Sequence, residues 1–317
     1  MTSIRDIARL SGYSVSMVSR VLNHHPYVNE EKRASIQKII DDLDYTSNQN
    51  AVNLSIGKTK LIGVISPYTN HACFDKIIKG VLSEAFKLNY NILLLPTNYD
   101  PQKEKKHMEL LKQKRIDGLI ITSRANSWET IKTYTTYGPV TVCEETNHPE
   151  VSAAFSNRKA SYEAVFSYLK QLGHSKVAFT SVREKSISNS TQQLVNAYQT
   201  IFQMSAESHY LINCYTYEDG LRVGKILLEK KDRPTAIYAN GDEVAAGIYS
   251  IAVKKGIKIP DDLLLVGEEV LPIGKALHFP SMNHQLEELG KVALQLVLNP
   301  TIKKQLIPHF LKLPDET

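Results

Sequence analysis

The stretch Ser3-Ile-Arg-Asp-Ile-Ala-Arg-Leu-Ser-Gly-Tyr-Ser-Val-Ser-Met-Val-Ser-Arg-Val-Leu-Asn23 predicts two short amphipathic helices around one tight turn. The Ser3 hydroxyl and the Asp6 carboxylate resemble a capping box at the start of the first helix. Gly12 supplies the turn, because only glycine adopts a positive φ without steric cost, and Ser14 can cap the second helix. The inner faces follow helical spacing, with Ile4, Ile7, Ala8 and Leu10 in the first helix and Val18, Val21 and Leu22 in the second.

The outward face of the second helix carries short side chains and one long cation: Val15, Ser16, Met17, Ser19, Arg20 and Asn23. Such a helix suits a DNA major groove, where hydroxyls and methyls touch base edges and arginine reaches a guanine or a phosphate. Asn29 can cap a third helix from Glu30 to Leu43, with Ile36, Ile39, Ile40 and Leu43 directed inward. The alternative is an ordinary three-helix bundle without a role in nucleic-acid binding.

A polar segment, residues 46–57, follows this bundle and contains the isolated apolar residues Val52, Leu54 and Ile56. It reads as a flexible linker in the absence of DNA. A helix of about seven residues is not stable alone in water, because helix nucleation is costly.

From Leu61 onward, β-branched and leucine-rich runs alternate with amphipathic helices, which predicts parallel sheets built from βαβ units. No GxGxxG or GxxxxGK[ST] motif occurs, so a nucleotide-binding fold is not expected. The first set comprises strands 61–66, 92–95, 118–121 and 140–142 with helices 74–88 and 102–114. The second comprises strands 176–180, 209–214, 236–239 and 263–266 with helices 158–172, 190–203, 218–230 and 243–255.

The composition excludes several classes of protein. Hydrophobic residues make up 42% of the 317 residues, and no apolar run approaches the ~20 residues that a membrane helix needs. The N-terminus lacks a secretory signal, which predicts a cytoplasmic protein without a membrane role. The three cysteines have no paired spacing, so we expect neither a disulfide framework nor a metal site, and no cofactor.

Catalysis is not expected either. The sequence contains no Gly-x-Ser-x-Gly, His-Glu-x-x-His or Cys-x-x-Cys motif. Glu268 and Glu269 could form an acid/base pair in principle, but no nucleophile is evident near them. A net charge of only +5 would not by itself reveal a DNA-binding protein.

Residues 3–60 resemble the DNA-binding headpiece of the lactose-repressor (LacI) family. The resemblance rests on the run from Val18 to Asn23, on the Asp44-Tyr45 helix exit, and on the Asn48…Ala51…Leu54 spacing. It extends over nearly the whole chain. Residues 22–28, 73–77 and 117–126 look most like the catabolite-control members of this family in Gram-positive bacteria.

The resemblance implies a homodimeric repressor that binds a double-stranded DNA operator. In the family, two hinge segments fold as a pair in the minor groove, and a leucine wedges into the central base step. Leu54 matches that leucine, which predicts a pseudo-palindromic operator with a central CG step. Ser47 and Val52 depart from the usual proline and arginine. The implied DNA-contacting residues are Ser3, Ser14, Val15, Ser16, Met17, Ser19, Arg20, Asn23, Tyr27, Val28, Asn29, Asn48, Ala51 and Leu54.

The resemblance also implies a core of two Rossmann-like lobes, similar to periplasmic binding proteins, that closes around an effector. We expect a headpiece at 1–46, a hinge at 47–60 and the core at 61–317. The chain would cross between the lobes near 153–157, 282–285 and 305–308. The N-lobe would then comprise about 61–153 plus 283–305, and the C-lobe about 154–282 plus 306–317.

The expected effector-binding residues are Phe74, Asp242, Glu269 and Gln285. Other positions of the family's ligand ring are changed: Leu194 replaces an arginine, and Gly241 replaces an asparagine. Losing these groups weakens the grip on vicinal hydroxyls. Two forms of control therefore stay open: an atypical small-molecule effector, or a phosphorylated carrier protein of the sugar phosphotransferase system. Arg124, Arg158 and the lysine-rich helix 103–115 are conceivable docking points, although such lysines more often form a solvated face. A transport-type binding protein is the remaining alternative, and the headpiece argues against it.

Overall fold

The computed structural model describes residues 3–23, 25–45, 57–299 and 301–314. The chain divides into two compact units, Met1–Lys60 and Leu61–Thr317.

The described part of the first unit contains three helices: α1 (Ile4–Ser11), α2 (Val15–Leu22) and α3 (Glu30–Asp42). Ser3 and Asp6 form the predicted capping box, and Ser14 and Asn29 cap the next two helices. Gly12 ends α1 with a φ of 72°, in the left-handed region that glycine tolerates. Local sequence chemistry therefore fixes the boundaries of these helices.

The core of this unit consists of Ile7, Ala8, Val18, Val21, Val28, Ile36 and Ile40. Two residues expected to point inward are exposed, Leu10 by 56% and Leu43 by 37%. Leu10 lies at the edge of the apolar face of α1, on the side away from Ala8, and Leu43 is the C-cap of α3.

The N-lobe of the second unit is built on a parallel sheet with the strand order β11-β5-β4-β3-β1-β2. Its strands are β1 (Leu61–Ser66), β2 (Asn91–Pro96), β3 (Gly118–Ile121), β4 (Val140–Val142), β5 (Ser152–Ser156) and β11 (Lys304–Ile307). Its helices are α4 (Ala72–Leu88), α5 (Pro101–Lys112), α6 (Trp128–Tyr134) and α12 (Leu286–Leu298).

The C-lobe has a second sheet with the order β12-β10-β9-β8-β6-β7, in which only β12 runs antiparallel to its neighbour. Its strands are β6 (Val177–Thr180), β7 (Tyr210–Leu211), β8 (Ala236–Tyr238), β9 (Leu264–Glu268), β10 (Ser281–Asn283) and β12 (Phe310–Lys312). Its helices are α7 (Arg158–Gln171), α8 (Asn189–Phe202), α9 (Tyr217–Leu228), α10 (Asp242–Lys254) and α11 (Pro272–Ala276).

The chain crosses between the lobes after β5, after β10 and after β11. Because β5 runs to Ser156 and β11 to Ile307, these strands extend two to three residues past the expected segment ends. Helix α12 returns to the N-lobe and packs against α4. The crossings place the carboxyl ends of both sheets on either side of one cleft.

Glycines allow α4 and α12 to approach each other closely. A Cβ atom built on Gly290 would lie 2.1 Å from the carbonyl oxygen of Ile77, and one built on Gly80 would lie 1.9 Å from that of Glu287. Neither distance is compatible with a side chain, so any substituent forces the two backbones apart.

We expect Gly290→Ala to lower the free energy of unfolding of the core by about 1–3 kcal/mol, the usual cost of overpacking. Urea denaturation of the full chain measures the change. Gly241→Ala is the matched control, because a Cβ there meets no atom within 4 Å. Equal stability of the two variants would contradict the close helix contact.

Candidate functional sites: nucleic-acid interface and interlobe cleft

Helix α2 presents an unobstructed polar face. Val15 is 42% exposed, and Ser14, Ser16, Arg20 and Asn23 are also exposed. Among the described residues, Arg20 has no ion-pair partner, so its guanidinium is available to an external acceptor. A short helix with one unpaired cation and several hydroxyls matches the recognition element of helix-turn-helix proteins.

Several predicted contact residues have their polar atoms partly engaged. The Asn23 Nδ2 donates to the Ser19 carbonyl oxygen at 2.8 Å. The Asn29 Oδ1 accepts from the Glu31 amide at 2.9 Å. The Ser3 hydroxyl lies 2.7 Å from Asp6. Their remaining hydrogen-bonding capacity still faces solvent, because all three residues are exposed.

The structure contradicts one predicted DNA-contacting side chain, that of Val28. Its side chain is only 6% exposed and belongs to the core of the first unit, because the loop after α2 turns it inward against the helices. Met17 and Ser19 are half-buried, and Met17 also packs against that core. Tyr27, by contrast, is 90% exposed on the same loop. Arg33 anchors this loop by donating to the His25 carbonyl oxygen at 2.7 Å.

The predicted hinge contacts Asn48, Ala51 and Leu54, and the departures at Ser47 and Val52, lie outside the described residues.

A cavity of about 240 Å³ lies between the N-lobe and the C-lobe. Residues at the carboxyl ends of strands form much of its wall, as expected for open α/β sheets. The N-lobe contributes Tyr68, Phe74, Tyr99, Thr122, Glu144 and Ser156, and the C-lobe contributes Arg158, Ser181, Arg183, Leu194, Asn240 and Glu268, among others.

Of the four expected effector-binding residues, only Phe74 lines this cavity. Asp242 is fully buried and accepts hydrogen bonds from the Leu271 amide at 2.6 Å and the Ser281 hydroxyl at 2.7 Å. It therefore fixes the loop after β9 from inside the C-lobe. Gln285 donates to the Pro308 carbonyl oxygen at 3.0 Å and so joins the second crossing to the third.

Glu269 is the fourth expected residue. It is 1% exposed, and its Oε1 lies 2.7 Å from the His284 Nδ1. It borders only a much smaller recess of about 10 Å³ beside the main cavity. It belongs to an ion network at the crossings between the lobes, because His284 and Arg158 lie next to its Oε1.

Arg158 is the centre of that network. Its guanidinium lies 3.4 Å from Glu268, 3.7 Å from Glu269 and 2.9 Å from the His284 ring. Burial disfavours the ionised Glu269, but His284 and Arg158 outweigh it and hold the pKa of Glu269 below its usual range. The ligand atoms of Glu268, Glu269 and His284 lie within 4.8 Å of one another, a spacing that could hold a metal ion. The Arg158 guanidinium, however, supplies the positive charge at this place.

The two walls of the cavity differ in their hydrogen bonding. In the C-lobe wall, Ser181 lies 2.7 Å from the Thr191 hydroxyl, and the Asn240 Nδ2 donates to the Cys214 carbonyl oxygen at 2.8 Å. In the N-lobe wall, the hydroxyls of Thr122 and Ser156 are buried without a partner in the described structure. Neighbouring protein atoms cover both oxygens, so a polar ligand in the cavity reaches them only after a local movement of the wall.

Sequence reasoning missed Tyr68, Tyr99, Glu144 and Arg183 as cleft residues. Glu144 interacts with Arg124 at 3.4 Å, yet burial dominates and raises the pKa of Glu144. Tyr68, Tyr99 and Glu144 lie within three residues of a strand end. A search for polar and aromatic side chains after each predicted strand could have found them.

The thiols do not resemble nucleophiles. Cys73, Cys143 and Cys214 are free, and burial raises the pKa of each. A thiol with a raised pKa is a weak nucleophile because little thiolate forms.

Two family models match the chain. The model described as "Bacterial regulatory proteins, lacI family" matches residues 3–48, and "Periplasmic binding proteins and sugar binding domain of LacI family" matches residues 59–305. Within the part of the chain that the structure describes, no helix has the length and apolarity needed to span a membrane.

Relatives match over nearly the full length. Catabolite control protein B of Bacillus subtilis is 46% identical over 98% of this chain and 99% of its own length. The NTD biosynthesis operon regulator NtdR of the same organism is 34% identical over 97% and 96%. The lac repressor dimer bound to operator and the anti-inducer ONPF has the same fold, with a TM-score of 0.82, 19% identity, and coverage of 98% of this chain and 97% of the repressor chain.

Asp242 generates a prediction about pH. Burial raises its pKa to about 7, against the opposing hydrogen bonds from Ser281 and Leu271. In the unfolded chain its pKa returns to about 4, so the native state binds the proton more tightly. Stability is therefore greatest below about pH 4 for this group and is lost as pH rises toward 7.

We expect the free energy of unfolding of the core to fall by about 2 kcal/mol between pH 5 and pH 8 through this group. Asp242→Asn should remove that part of the pH dependence, because the amide can accept from Leu271 and donate to Ser281. Urea denaturation at pH 5 and at pH 8 measures the free energy of unfolding of each protein. Asp232→Asn changes an exposed carboxylate and should keep the pH dependence of the unfolding free energy that the unsubstituted protein has. If Asp242→Asn also kept it, Asp242 would not be the group responsible.

Proposed function

The chain belongs to the lacI family of bacterial regulatory proteins, and we propose that it represses carbon-source genes by binding a pseudo-palindromic operator as a homodimer. The observation that carries this proposal is the exposed face of α2 on a capped helix-turn-helix, in a chain 46% identical to a catabolite control protein. We place the protein in the cytoplasm, where operator DNA is accessible.

We propose that α2 enters the major groove. Val15 and Ser16 would meet base edges, and Arg20 would reach a guanine or a phosphate. Tyr27 would contact the sugar-phosphate backbone beside the helix, held in place by the loop that Arg33 anchors. In the hinge, Leu54 would wedge into the central base step, with Asn48 and Ala51 beside it.

We propose that the interlobe cavity receives the regulatory signal. The unpartnered hydroxyls of Thr122 and Ser156, together with the ring of Phe74, favour a small polar effector bound against the N-lobe wall. Control by a phosphorylated carrier protein is the second candidate. It is favoured by the C-lobe wall, where Ser181 and Asn240 already have hydrogen-bond partners within the protein. In either case no catalytic step is proposed.

The homodimer is supported by an exposed apolar face on the N-lobe. Phe86 is 88% exposed and Leu82 47% exposed on α4, and Leu94 is 39% exposed on the edge strand β2. Large apolar side chains grouped in this way mark a protein–protein interface more often than a solvent surface. A twofold dimer also matches the symmetry of a palindromic operator.

Selection of bound sequences from a random duplex pool tests DNA recognition. We expect the full chain to select a palindrome with a central CG step, and Leu54→Ala to bind it more weakly and with less central preference. The physical reason is that a smaller side chain cannot hold the base step open. Half-sites without a central preference, bound equally by both proteins, would show that the hinge does not act in this way.

Arg20→Ala extends the same experiment to the recognition helix. Loss of a bidentate contact to guanine should lower operator affinity by about 10- to 100-fold, since such a contact is worth about 1–3 kcal/mol. Lys38→Ala is the control, because it removes the same charge from the exposed surface of α3. If both variants lost the same operator affinity, Arg20 would act only through nonspecific attraction to the DNA phosphates.

Phe86→Arg tests the dimer. A charge at the centre of an apolar interface should shift the chain from dimer to monomer in analytical ultracentrifugation, because the guanidinium would be buried without a partner. Leu172→Arg is the control, since this side chain is 55% exposed on the C-lobe. A dimer that survives Phe86→Arg would locate the interface elsewhere.

A further inference from the structure

An aromatic cluster lies at the mouth of the interlobe cleft on the N-lobe side. It consists of Tyr68, His71, Phe74 and Tyr99, here called the aromatic platform. The Tyr68 ring packs edge-on against Tyr99 with centroids 5.6 Å apart, and His71 lies 5.3 Å from Phe74. All four residues are half-buried, and all border the cavity.

Two C-lobe side chains reach across the mouth to this platform. The Tyr215 ring meets Tyr68 edge-on at 6.0 Å and His71 edge-on at 6.3 Å. The Arg183 guanidinium lies over the Tyr99 ring, 4.0 Å from its centroid. Nearer the crossings between the lobes, Lys76 of α4 donates to the carbonyl oxygen of Glu269. Tyr215, Arg183 and Lys76 therefore each make contact between the lobes, and the contacts of Tyr215 and Arg183 lie at the mouth.

These contacts have the geometry of favourable interactions. Edge-to-face aromatic pairs place the positive ring edge against the negative ring face, and a cation over a ring is attracted by the same charge distribution. Among the described residues, Arg183 has no carboxylate within ion-pair distance, although its charge acts on Glu144 in the same cavity. Partial burial at the mouth strengthens both contacts relative to fully solvated ones.

We propose that Tyr215 and Arg183 form a clasp on the aromatic platform that holds the lobes closed and gates access to the cavity. The proposal deepens the regulatory role proposed above and rests on it. A ligand must wait for the clasp to open, so Tyr215, which lies outside the cavity wall, and Arg183, which forms part of it, set how often the cavity is accessible. Conversely, a ligand that displaces Tyr215 or Arg183 would loosen the lobes.

The chain carries its own probes of clasp opening. Cys73 and Cys143 line the cavity, whereas Cys214 is fully buried in a separate hydrophobic core of the C-lobe. Alkylation of the full-length protein by N-ethylmaleimide, followed by peptide mass mapping, gives a rate for each cysteine. If opening is rapid, the rates at Cys73 and Cys143 follow the fraction of molecules with an open clasp.

We expect Tyr215→Ala and Arg183→Ala each to accelerate alkylation of Cys73 and Cys143 by about threefold, and the double variant by about tenfold. Cys214 should keep its rate. The matched controls are Tyr217→Ala, whose hydroxyl bonds Ser250 within the C-lobe, and Arg233→Ala, whose guanidinium bonds the Asp262 carbonyl oxygen there. Both controls should leave all three rates unchanged.

The proposal is overturned if the double variant shows no acceleration at Cys73 and Cys143. It is equally overturned if the controls accelerate as much, or if Cys214 accelerates in step, since that would indicate loosening of the C-lobe itself. Should Tyr215→Ala not fold, Arg183→Ala carries the test alone. The alkylation rates are measured without DNA. Failure of the chain to bind an operator would therefore refute the proposed function without affecting the test of the clasp.

Discussion

The guanidinium of Arg158 is the constraint on which the arrangement of the core depends. It follows the first crossing directly and lies against His284 at the second crossing and against two carboxylates at the end of β9. Largely buried charges are stable only when they are paired, and removal of one partner leaves the other uncompensated. The crossings, the C-lobe sheet and the floor of the cleft are therefore fixed relative to one another. The hydrogen bond from Gln285 to Pro308 adds the third crossing to the same assembly.

The sequence was sufficient wherever structure is local. Ser3, Gly12 and Ser14 define two helices through interactions within four residues, and each of these three predictions is confirmed. Strands 61–66, 118–121 and 140–142 were also predicted with the bounds that the structure has, because buried parallel strands are continuous apolar runs. After residue 266 the sequence pattern predicts no element, whereas the structure has helices α11 and α12 and three strands there. There β10, β11 and β12 have only three or four residues each and are defined by partners far away in the chain.

In the cleft, too, the sequence predicts residue types but not the directions of side chains that depend on distant packing. Asp242 and Glu269 have the residue type of ligand-binding groups, but their acceptor atoms turn toward Ser281, Leu271 and His284 inside the C-lobe. A carboxylate is recognisable from sequence, whereas the direction in which it points depends on what packs around it. Val28 in the first unit illustrates this point with an apolar side chain, which turns from the loop after α2 into the core.

The unequal walls of the cavity determine where binding energy is available. Polar groups that already satisfy one another gain little from a ligand, because each new hydrogen bond replaces an existing one. A buried hydroxyl without a partner costs about 1–3 kcal/mol, and a ligand that satisfies it recovers this energy. Thr122 and Ser156, both on the N-lobe, are in that position. A ligand would therefore gain most from the N-lobe wall, while the contacts of Tyr215 and Arg183 at the mouth would set the free energy of bringing the C-lobe over it. Phe74 and Arg183 take part in both functions, because each also lines the cavity, whereas Tyr215 lies outside the cavity wall and a substitution there alters closure alone.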